Sequence, residues 1–263
     1  MAEITAKDVK ALRDATGAGM MDAKRALTDA DGDFEAASQI LRERGLAKAA
    51  TRTDRENVEG AVALVANGTS AALVHLKCET DFSAKSAAFI ALVGDMANAV
   101  LADGEGAADG FTGALEDLKL TVKENIEVGL ATLVEAADGN TLDTYLHVQD
   151  GRGVNGVIVE GAGVDAESLH QVALHIAFAK PTALSREEIS ADLVEQERAS
   201  LLEVTKAEGK PEQAWDKIVE GRMSGWYRES VLLEQGLHGD KTSVKDTLGG
   251  GEIARFVQAY LGG

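Results

Sequence analysis

The chain has few of the residues that brace a fold covalently or interrupt a helix. Its 263 residues include one cysteine, Cys78, and two prolines. A single cysteine excludes a disulfide bond within the chain and is typical of proteins kept in a reducing compartment. We therefore expect a fold that is held without a disulfide.

Long apolar runs and an export signal are also missing. No apolar stretch approaches the roughly 20 residues that a helix needs to cross a bilayer. The segment from Met1 to Thr5 contains neither the basic nor the apolar part of a signal peptide. Together with the single cysteine, these absences predict a cytoplasmic protein that has no membrane partner.

Positive charge is scarce. There are 26 lysines and arginines against 44 aspartates and glutamates, which gives a net charge of -18. Such a balance repels a nucleic-acid backbone, so no direct nucleic-acid contact is expected. An acidic surface can instead steer a protein toward basic patches on other proteins. Lysine and arginine are richer only between Lys7 and Arg55.

One phosphate-binding pattern is present, but in the wrong context. Residues 151–156 read Gly-Arg-Gly-Val-Asn-Gly and match G-x-G-x-x-G. A dinucleotide site needs a strand before this pattern and a helix that begins on it. Here the β-branched residues 157–159 follow directly, which predicts a hairpin turn and no cofactor.

Residue spacing brings no metal ligands or catalytic groups together. His170 and His175 are five positions apart and do not share a helical face, and His75 and Cys78 lie on opposite faces of a strand. No metal site, P-loop, nucleophile elbow or Cys/His pair is indicated. We therefore predict a binding protein with no catalytic residues and no metal, and not an enzyme.

The N-terminal part of the chain predicts three short helices. Thr5 and Asp8 have the spacing of a capping box, and Gly17 is suited to end the first helix. Asp33 is placed to cap the third helix, and Gly45 predicts its end. A unit of this size has a small core and is marginal alone.

Two adjacent methionines begin the second of these helices. Consecutive helical residues lie about 100° apart, so both cannot centre on one buried face. Met20 is in phase with Ala23 and Leu27 and is predicted to point inward, whereas Met21 falls on the flank. Met21 is expected to reach solvent or a partner, for which methionine is well suited. The alternative, which periodicity alone favours, is that Met21 merely covers the edge of a small core.

The remainder of the chain repeats one plan twice. A β-hairpin over 61–78 precedes a helix, and a second hairpin over 144–161 precedes a helix that Asp165 caps. This repetition predicts a duplicated α+β core. A helical hairpin over about 188–230 and a short last helix around 253–260 follow.

The fold class is therefore α+β, and these segments set the domain boundaries. The predicted units are a three-helix unit at 1–46, a linker at 47–60, the two halves of the core at 61–140 and 141–184, a helical hairpin at 185–230, and a C-terminal segment with the short helix at 231–263.

One segment turns from the second strand of the core into its first helix. Thr80, Asp81 and Ser83 are all residues that cap helices, so the start of the helix is ambiguous. Phe82 lies seven positions before Phe89 and shares its helical phase, which favours a core position. The alternative is that Phe82 projects from the corner as an apolar wedge.

Three runs of this sequence closely resemble bacterial elongation factor Ts. They are VKALRDATGAGMMDAKRAL at 9–27, ETDF at 79–82 and VEGRM at 219–223. The first two motifs are specific, and the resemblance covers most of the chain in the same order. It implies a ubiquitin-associated-like N-terminal domain, a duplicated α+β core, and a dimerisation hairpin over 187–226 that raises the possibility of a homodimer.

The resemblance also implies a function. Members of this family are nucleotide exchange factors for the translational GTPase elongation factor Tu. This chain is accordingly expected to bind the GDP form, dislodge Mg²⁺ and promote GDP release so that GTP can bind.

Contact residues follow from the same resemblance. Arg13, Met20 and Met21 correspond to contacts with the nucleotide-binding domain of the GTPase. Val9 and Lys10 lie nearby and belong to the same predicted docking surface.

A second set of contact residues lies in the core. Asp81 and Phe82, flanked by Thr80 and Ser83, resemble the pair that wedges between two helices of the GTPase and dislodges Mg²⁺. Ser83 stands where the family often has valine, and its smaller polar side chain is expected to weaken the apolar support of the wedge. His147 resembles a contact residue of the other half of the core.

Two other functions stay open at this stage. One is an adaptor of the ubiquitin-associated type, which docks a peptide or protein and changes no nucleotide equilibrium. The other is an enzyme built on the duplicated core.

Overall fold

Three helices form the N-terminal unit. They are α1 (Ala6–Thr16), α2 (Met20–Asp29) and α3 (Phe34–Ala50). The computed structural model describes residues 4–52 and 54–263. The predicted capping box is present, because the Thr5 N–H donates to the Asp8 carboxylate at 3.0 Å and the Asp8 N–H donates to the Thr5 hydroxyl at 3.3 Å. Gly17 ends α1 in the left-handed conformation, with φ of 66°.

The third helix does not end at Gly45, and that prediction is wrong. α3 continues to Ala50, so the first part of the predicted linker is helical. Gly45 instead lies against the side chain of Leu120 in the core, where a Cβ atom would collide with it. Its role is the close approach of two units and not the termination of a helix.

The core contains six antiparallel strands. They are β1 (Glu59–Ala66), β2 (Ser70–Cys78), β3 (Ile126–Glu135), β4 (Asn140–Gln149), β5 (Arg152–Ala162) and β6 (Glu252–Tyr260). The order is β3-β2-β1-β5-β4, and β6 also pairs with β5. Within the described residues, the backbone pairing of β1 with β5 is limited to Val62 and Gly153, whereas β5 pairs with β6 from Asn155 onward. The sheet is therefore two three-stranded halves with a narrow junction.

Helices cover each half of the sheet on one face. The first half carries α4 (Asp81–Ala84), α5 (Ala87–Asp103) and α6 (Thr112–Val122), and the second carries α7 (Ala166–Ala179). Phe89 and Met96 of α5 lie in the first helix-facing core, and Leu169 and Ile176 of α7 lie in the second. The duplicated α+β plan predicted from the sequence is present.

A further cluster lies between strands of the two halves. Leu73 on β2 and Ile158 on β5 belong to it, whereas their neighbours Val74 and Val159 face the helices. Successive strand residues point to opposite faces of the sheet. Because β2 and β5 carry apolar residues at both odd and even positions, both faces of these strands are buried.

The last predicted helix, over 253–260, is wrong. This segment is β6, which pairs antiparallel with β5. This pairing gives hydrogen-bond partners to the backbone N–H and C=O groups of β5 beyond its junction with β1. Strand pairing therefore outweighs the local helical preference of residues 253–260. Arg255 of β6 also forms an ion pair with buried Glu160 at 2.6 Å. The short helix of the C-terminal segment is α10 (Val244–Thr247).

The predicted helical hairpin consists of α8 (Ala191–Ala207) and α9 (Trp215–Ser230). Ion pairs link its two helices, among them Arg198 with Glu220. The N-terminal unit meets the core where α3 contacts α6, and Arg42 bonds to Asp117 at 2.6 Å. Within residues 4–52 and 54–263, no helix is long and apolar enough to cross a membrane.

Candidate functional site

The corner between β2 and α5 contains two separate helix starts. Thr80 caps the one-turn helix α4, and its hydroxyl accepts a hydrogen bond from the Ser83 N–H at 3.3 Å. Ser86 then caps α5 by accepting from the Phe89 N–H at 3.3 Å. The ambiguity of the sequence is thereby resolved, because the cap-type residues serve two helices in succession. We call residues 79–84 the Phe82 corner.

Phe82 projects into solvent with 88% of its surface exposed. The expectation that it belongs to the core is wrong, because it assumed one continuous helix from Phe82 to Phe89. Ser86 has an extended conformation between α4 and α5, which breaks the helical phase. The buried side of α4 is made by Ser83 and Ala84 instead.

Asp81 lies beside Phe82 and is held by charge. Its carboxylate bonds to Lys85 at 2.9 Å, and Lys85 also reaches Asp150 at 3.1 Å. The hydrogen bond from Lys85, and then its positive charge, lower the pKa of the Asp81 carboxyl. The Phe82 corner is thus tied to the β4–β5 turn through Lys85.

A single carboxylate, that of Glu124, accepts four hydrogen bonds from the Phe82 corner. One oxygen accepts the backbone N–H groups of Glu79 at 3.2 Å and Thr80 at 3.1 Å. The other accepts the hydroxyls of Thr80 at 2.6 Å and Ser83 at 2.7 Å. No pattern in the sequence indicates Glu124, because only the pairing of β2 with β3 brings it to this corner.

Ser83 is buried and serves the corner from inside. Its hydroxyl hydrogen bond to Glu124 fastens α4, so support comes from a polar contact and not from apolar packing. The weakening expected from a small polar side chain at this position stays a prediction, and the bond to Glu124 gives Ser83 a polar anchor. Burial also makes Ser83 a supporting residue and not a direct contact.

Glu79 fixes the other end of the corner. Its carboxylate accepts from the Asn125 N–H at 2.7 Å and from Arg55 at 3.3 Å. The Asn125 side chain donates to the Arg55 carbonyl at 3.2 Å. The end of the 47–60 segment is therefore fastened to the corner.

Buried groups beneath the corner are structural. Arg152 donates to the Gly60 carbonyl at 2.6 Å and pairs with Glu59 at 2.9 Å, which joins β5 to β1. Burial raises the pKa of the Cys78 thiol to about 12, and the thiol donates to the Thr80 carbonyl at 3.2 Å. A thiol held in this state is a poor nucleophile.

The G-x-G-x-x-G segment at 151–156 lies in the β4–β5 hairpin and does not join a strand to a helix, as a phosphate site would require. Arg152 begins β5, so most of the G-x-G-x-x-G segment is strand. Among the described residues, no three His, Cys, Asp or Glu side chains form a group that could hold a metal ion.

The N-terminal unit exposes both methionines. Met20 is 47% and Met21 66% exposed, and we call this pair the methionine surface. The inward position predicted for Met20 is wrong, because Met20 is the first residue of α2 and the buried side begins at Ala23. The alternative that Met21 merely covers a core edge is also unsupported, since two thirds of its surface is free.

The predicted contact residues on α1 differ in exposure to solvent. Lys10 and Arg13 are exposed, and Arg13 pairs with Asp14 at 3.3 Å. Val9 is buried in the three-helix core with Leu12. Its predicted place among the docking contacts is corrected to a packing role.

His147 lies on the second half of the core. It is exposed on β4, pairs in register with Asn155 on β5, and its Nδ1 atom is 3.4 Å from the Tyr145 hydroxyl. The predicted contact residues therefore occupy three surfaces: the methionine surface, the Phe82 corner and His147.

Comparison with known proteins gives one consistent result. A family model described as elongation factor TS matches residues 79–262. Proteins named Elongation factor Ts are similar over nearly the full chain. The relative from Cutibacterium acnes is 47% identical and covers 98% of this chain and 99% of its own length. Those from Clavibacter michiganensis and Mycobacterium ulcerans are 44% and 42% identical, over 93% and 100% of this chain and 93% and 99% of their own lengths.

These matches place the chain among the translation elongation factors. Within that class, the chain belongs to the elongation factor Ts family.

Proposed function

We propose that this chain is a guanine-nucleotide exchange factor for elongation factor Tu and not an enzyme. It binds the GDP-bound GTPase, dislodges Mg²⁺ and promotes GDP release so that GTP can bind. The observation that carries the proposal is the exposure of Phe82, 88%, on a corner fastened by hydrogen bonds. Phe82 and its neighbour Asp81 also stand in the ETDF motif, at the positions that resemble the intruding pair of the family, which supports a contact of the exposed ring with the GTPase.

Burial of Phe82 against the GTPase supplies part of the driving force. Full burial of a phenylalanine side chain contributes roughly 1.5–3 kcal/mol. Each tenfold change in affinity corresponds to about 1.4 kcal/mol, so Phe82 alone accounts for about one to two orders of magnitude. Larger effects require the methionine surface and His147 as well.

The mechanism is a coupling of two binding equilibria, without covalent chemistry. The factor binds the GTPase better when Mg²⁺ and GDP are absent, and by reciprocity it weakens their binding. Loss of Mg²⁺ removes the charge that neutralises the phosphates. Asp81 and Phe82 act as the intruding pair, while Thr80 and Ser83 hold them.

The other surfaces dock the GTPase. Lys10, Arg13 and the methionine surface are assigned to its nucleotide-binding domain, and His147 to a contact of the second core half. A net charge of -18 supports a protein partner over nucleic acid. We place the activity in the cytoplasm, away from membranes. Leu193 and Val204, both 46% exposed on α8, support a homodimer through the helical hairpin.

Release of a fluorescent GDP analogue from elongation factor Tu tests the proposal. The wild-type chain should accelerate release, and Phe82→Ala should abolish most of the acceleration without moving the melting temperature. Phe178→Ala is the matched control, because Phe178 on α7 is 82% exposed and lies outside the Phe82 corner. It should keep the wild-type rate.

The alternatives give different results. Binding of the GTPase by the wild-type chain without faster release would identify an adaptor and overturn the exchange function. Equal losses in both phenylalanine variants would show that Phe82 has no special role.

A further inference from the structure

The backbone places Glu124 opposite the Phe82 corner. Lys123 ends α6 in the left-handed conformation, with φ of 61°, and β3 begins at Ile126, which pairs with Cys78. Continuing this antiparallel register by two residues sets Glu124 across from Thr80. The position therefore follows from the end of one helix and the pairing of two strands.

The residues that donate hydrogen bonds to Glu124 lie on both sides of Phe82 in the sequence. Their donors are the backbone N–H of Glu79, the backbone N–H and hydroxyl of Thr80, and the hydroxyl of Ser83. Two of these residues precede Phe82 and one follows it. All four bonds are charge-assisted, a class about twice as strong as neutral hydrogen bonds.

The helix that carries Phe82 needs such support. α4 has four residues, which is a single turn, and one helical turn is not stable by itself in water. Its buried side is small, since it consists of Ser83 and Ala84. Apolar packing within α4 therefore holds Phe82 only weakly, and the carboxylate supplies the remaining constraint.

We propose that Glu124 is the positioning residue of the exchange reaction, which holds Phe82 in the outward orientation that enters the GTPase. This inference rests on the proposed exchange function. A pre-organised corner lowers the ordering entropy lost on binding, so loss of Glu124 lowers the rate of exchange without removing the contact residue itself.

Glu124→Ala and Glu124→Gln test the inference, with Glu105→Ala as matched control. Glu105 also accepts a hydroxyl, that of Thr132 at 2.7 Å, and a backbone N–H, that of Leu133 at 3.1 Å. It lies on the same core half but bonds to β3 and not to the Phe82 corner.

Glu124→Ala removes all four bonds and should slow GDP release at saturating factor by about tenfold. Glu124→Gln should retain most of the rate, because its amide can accept from the backbone N–H groups and donate to the hydroxyl oxygens. Glu105→Ala should leave the rate unchanged. A retained rate in Glu124→Gln and an unchanged rate in Glu105→Ala would distinguish a positioning role of Glu124 from a general effect on the stability of the fold.

Amide relaxation by NMR provides a readout that needs no GTPase. In the wild-type chain the order parameter of the Phe82 amide should be near the rigid value of about 0.85, and in Glu124→Ala it should fall below about 0.6. In Glu105→Ala the Phe82 amide should stay rigid. If Glu124→Ala does not fold, Ser83→Ala removes one of the four bonds and should slow release by about two- to threefold.

The outcomes distinguish this inference from the function on which it rests. The positioning role would be overturned by a wild-type rate together with a rigid Phe82 amide in Glu124→Ala. If Glu124→Ala does not fold, a wild-type rate in Ser83→Ala would overturn it. In either case, loss of exchange in Phe82→Ala would still support the exchange function. A wild-type chain that fails to accelerate GDP release would overturn the function, and with it the role of Glu124 in exchange.

Discussion

The Phe82 corner and the methionine surface both expose large apolar side chains, but they are supported differently. Phe82 stands on a corner that a carboxylate, an ion pair and two helix caps fasten to a six-stranded core. The methionines begin a helix whose cap, Gly19, offers no side-chain hydrogen bond, on a unit with a small core. Rigid support suits a wedge, and an adaptable side chain on a small unit suits docking.

Stability should separate the two phenylalanines that the sequence had placed in one phase. Phe89 is fully buried in the first core, so Phe89→Ala should cost about 3–5 kcal/mol in the free energy of unfolding. Phe82→Ala should change it by less than about 0.5 kcal/mol, because Phe82 packs against little. Urea unfolding followed by circular dichroism measures both. Similar losses in the two variants would mean that Phe82 is also a packing residue.

Acid should destabilise the core and spare the N-terminal unit. All five histidines lie after residue 60, and burial lowers the pKa of His75 to about 4. Burial also lowers the pKa of His175. The folded state thus binds fewer protons than the unfolded state below about pH 6.5.

The direction in which stability changes with pH follows from this difference in bound protons. The contribution of neutral His75 is complete above about pH 6.5 and is lost as the pH falls toward 4, by about 3 kcal/mol. Unfolding free energies across that range should show the loss, and His75→Leu should flatten the slope. An equally steep slope in His75→Leu would assign the acid sensitivity to other groups.

The methionine surface should give the smallest effect. Met21→Ala should leave stability unchanged within about 0.5 kcal/mol and weaken binding of nucleotide-free elongation factor Tu by about fivefold, equivalent to about 1 kcal/mol. Val58→Ala is the control, because Val58 is 56% exposed, close to the 66% of Met21, and lies outside the surfaces assigned to contacts. Calorimetric titration measures both affinities. Unchanged affinity in Met21→Ala would remove the docking role.

Features set by neighbouring residues were correctly predicted from the sequence. The Thr5 capping box, the left-handed Gly17 and the Asp165 cap of α7 depend on residues within a few positions. Phe89 was placed in the core from its helical phase, and it is buried in α5. The hairpin was recognised because the β-branched residues 157–159 follow the glycines, but the turn predicted over 151–156 is too long, since β5 begins at Arg152.

Errors arose where a distant element decides the outcome. Gly45 reads as a helix end, but Leu120 from another unit occupies the space beside it. The 253–260 segment reads as a helix, but β5 offers an unpaired edge. Val9 was predicted as part of the docking surface, but packing of three helices buries it in their core.

The sequence by itself determined the family, the order of helices and hairpins, and which residue types meet a partner. Local capping, helical phase and motif identity suffice for these, because each is written within one short segment. The tertiary structure alone decided that Phe82 faces solvent and that Glu124 fastens it. The second depends on pairing Cys78 with Ile126, a contact between distant strands that no local pattern encodes.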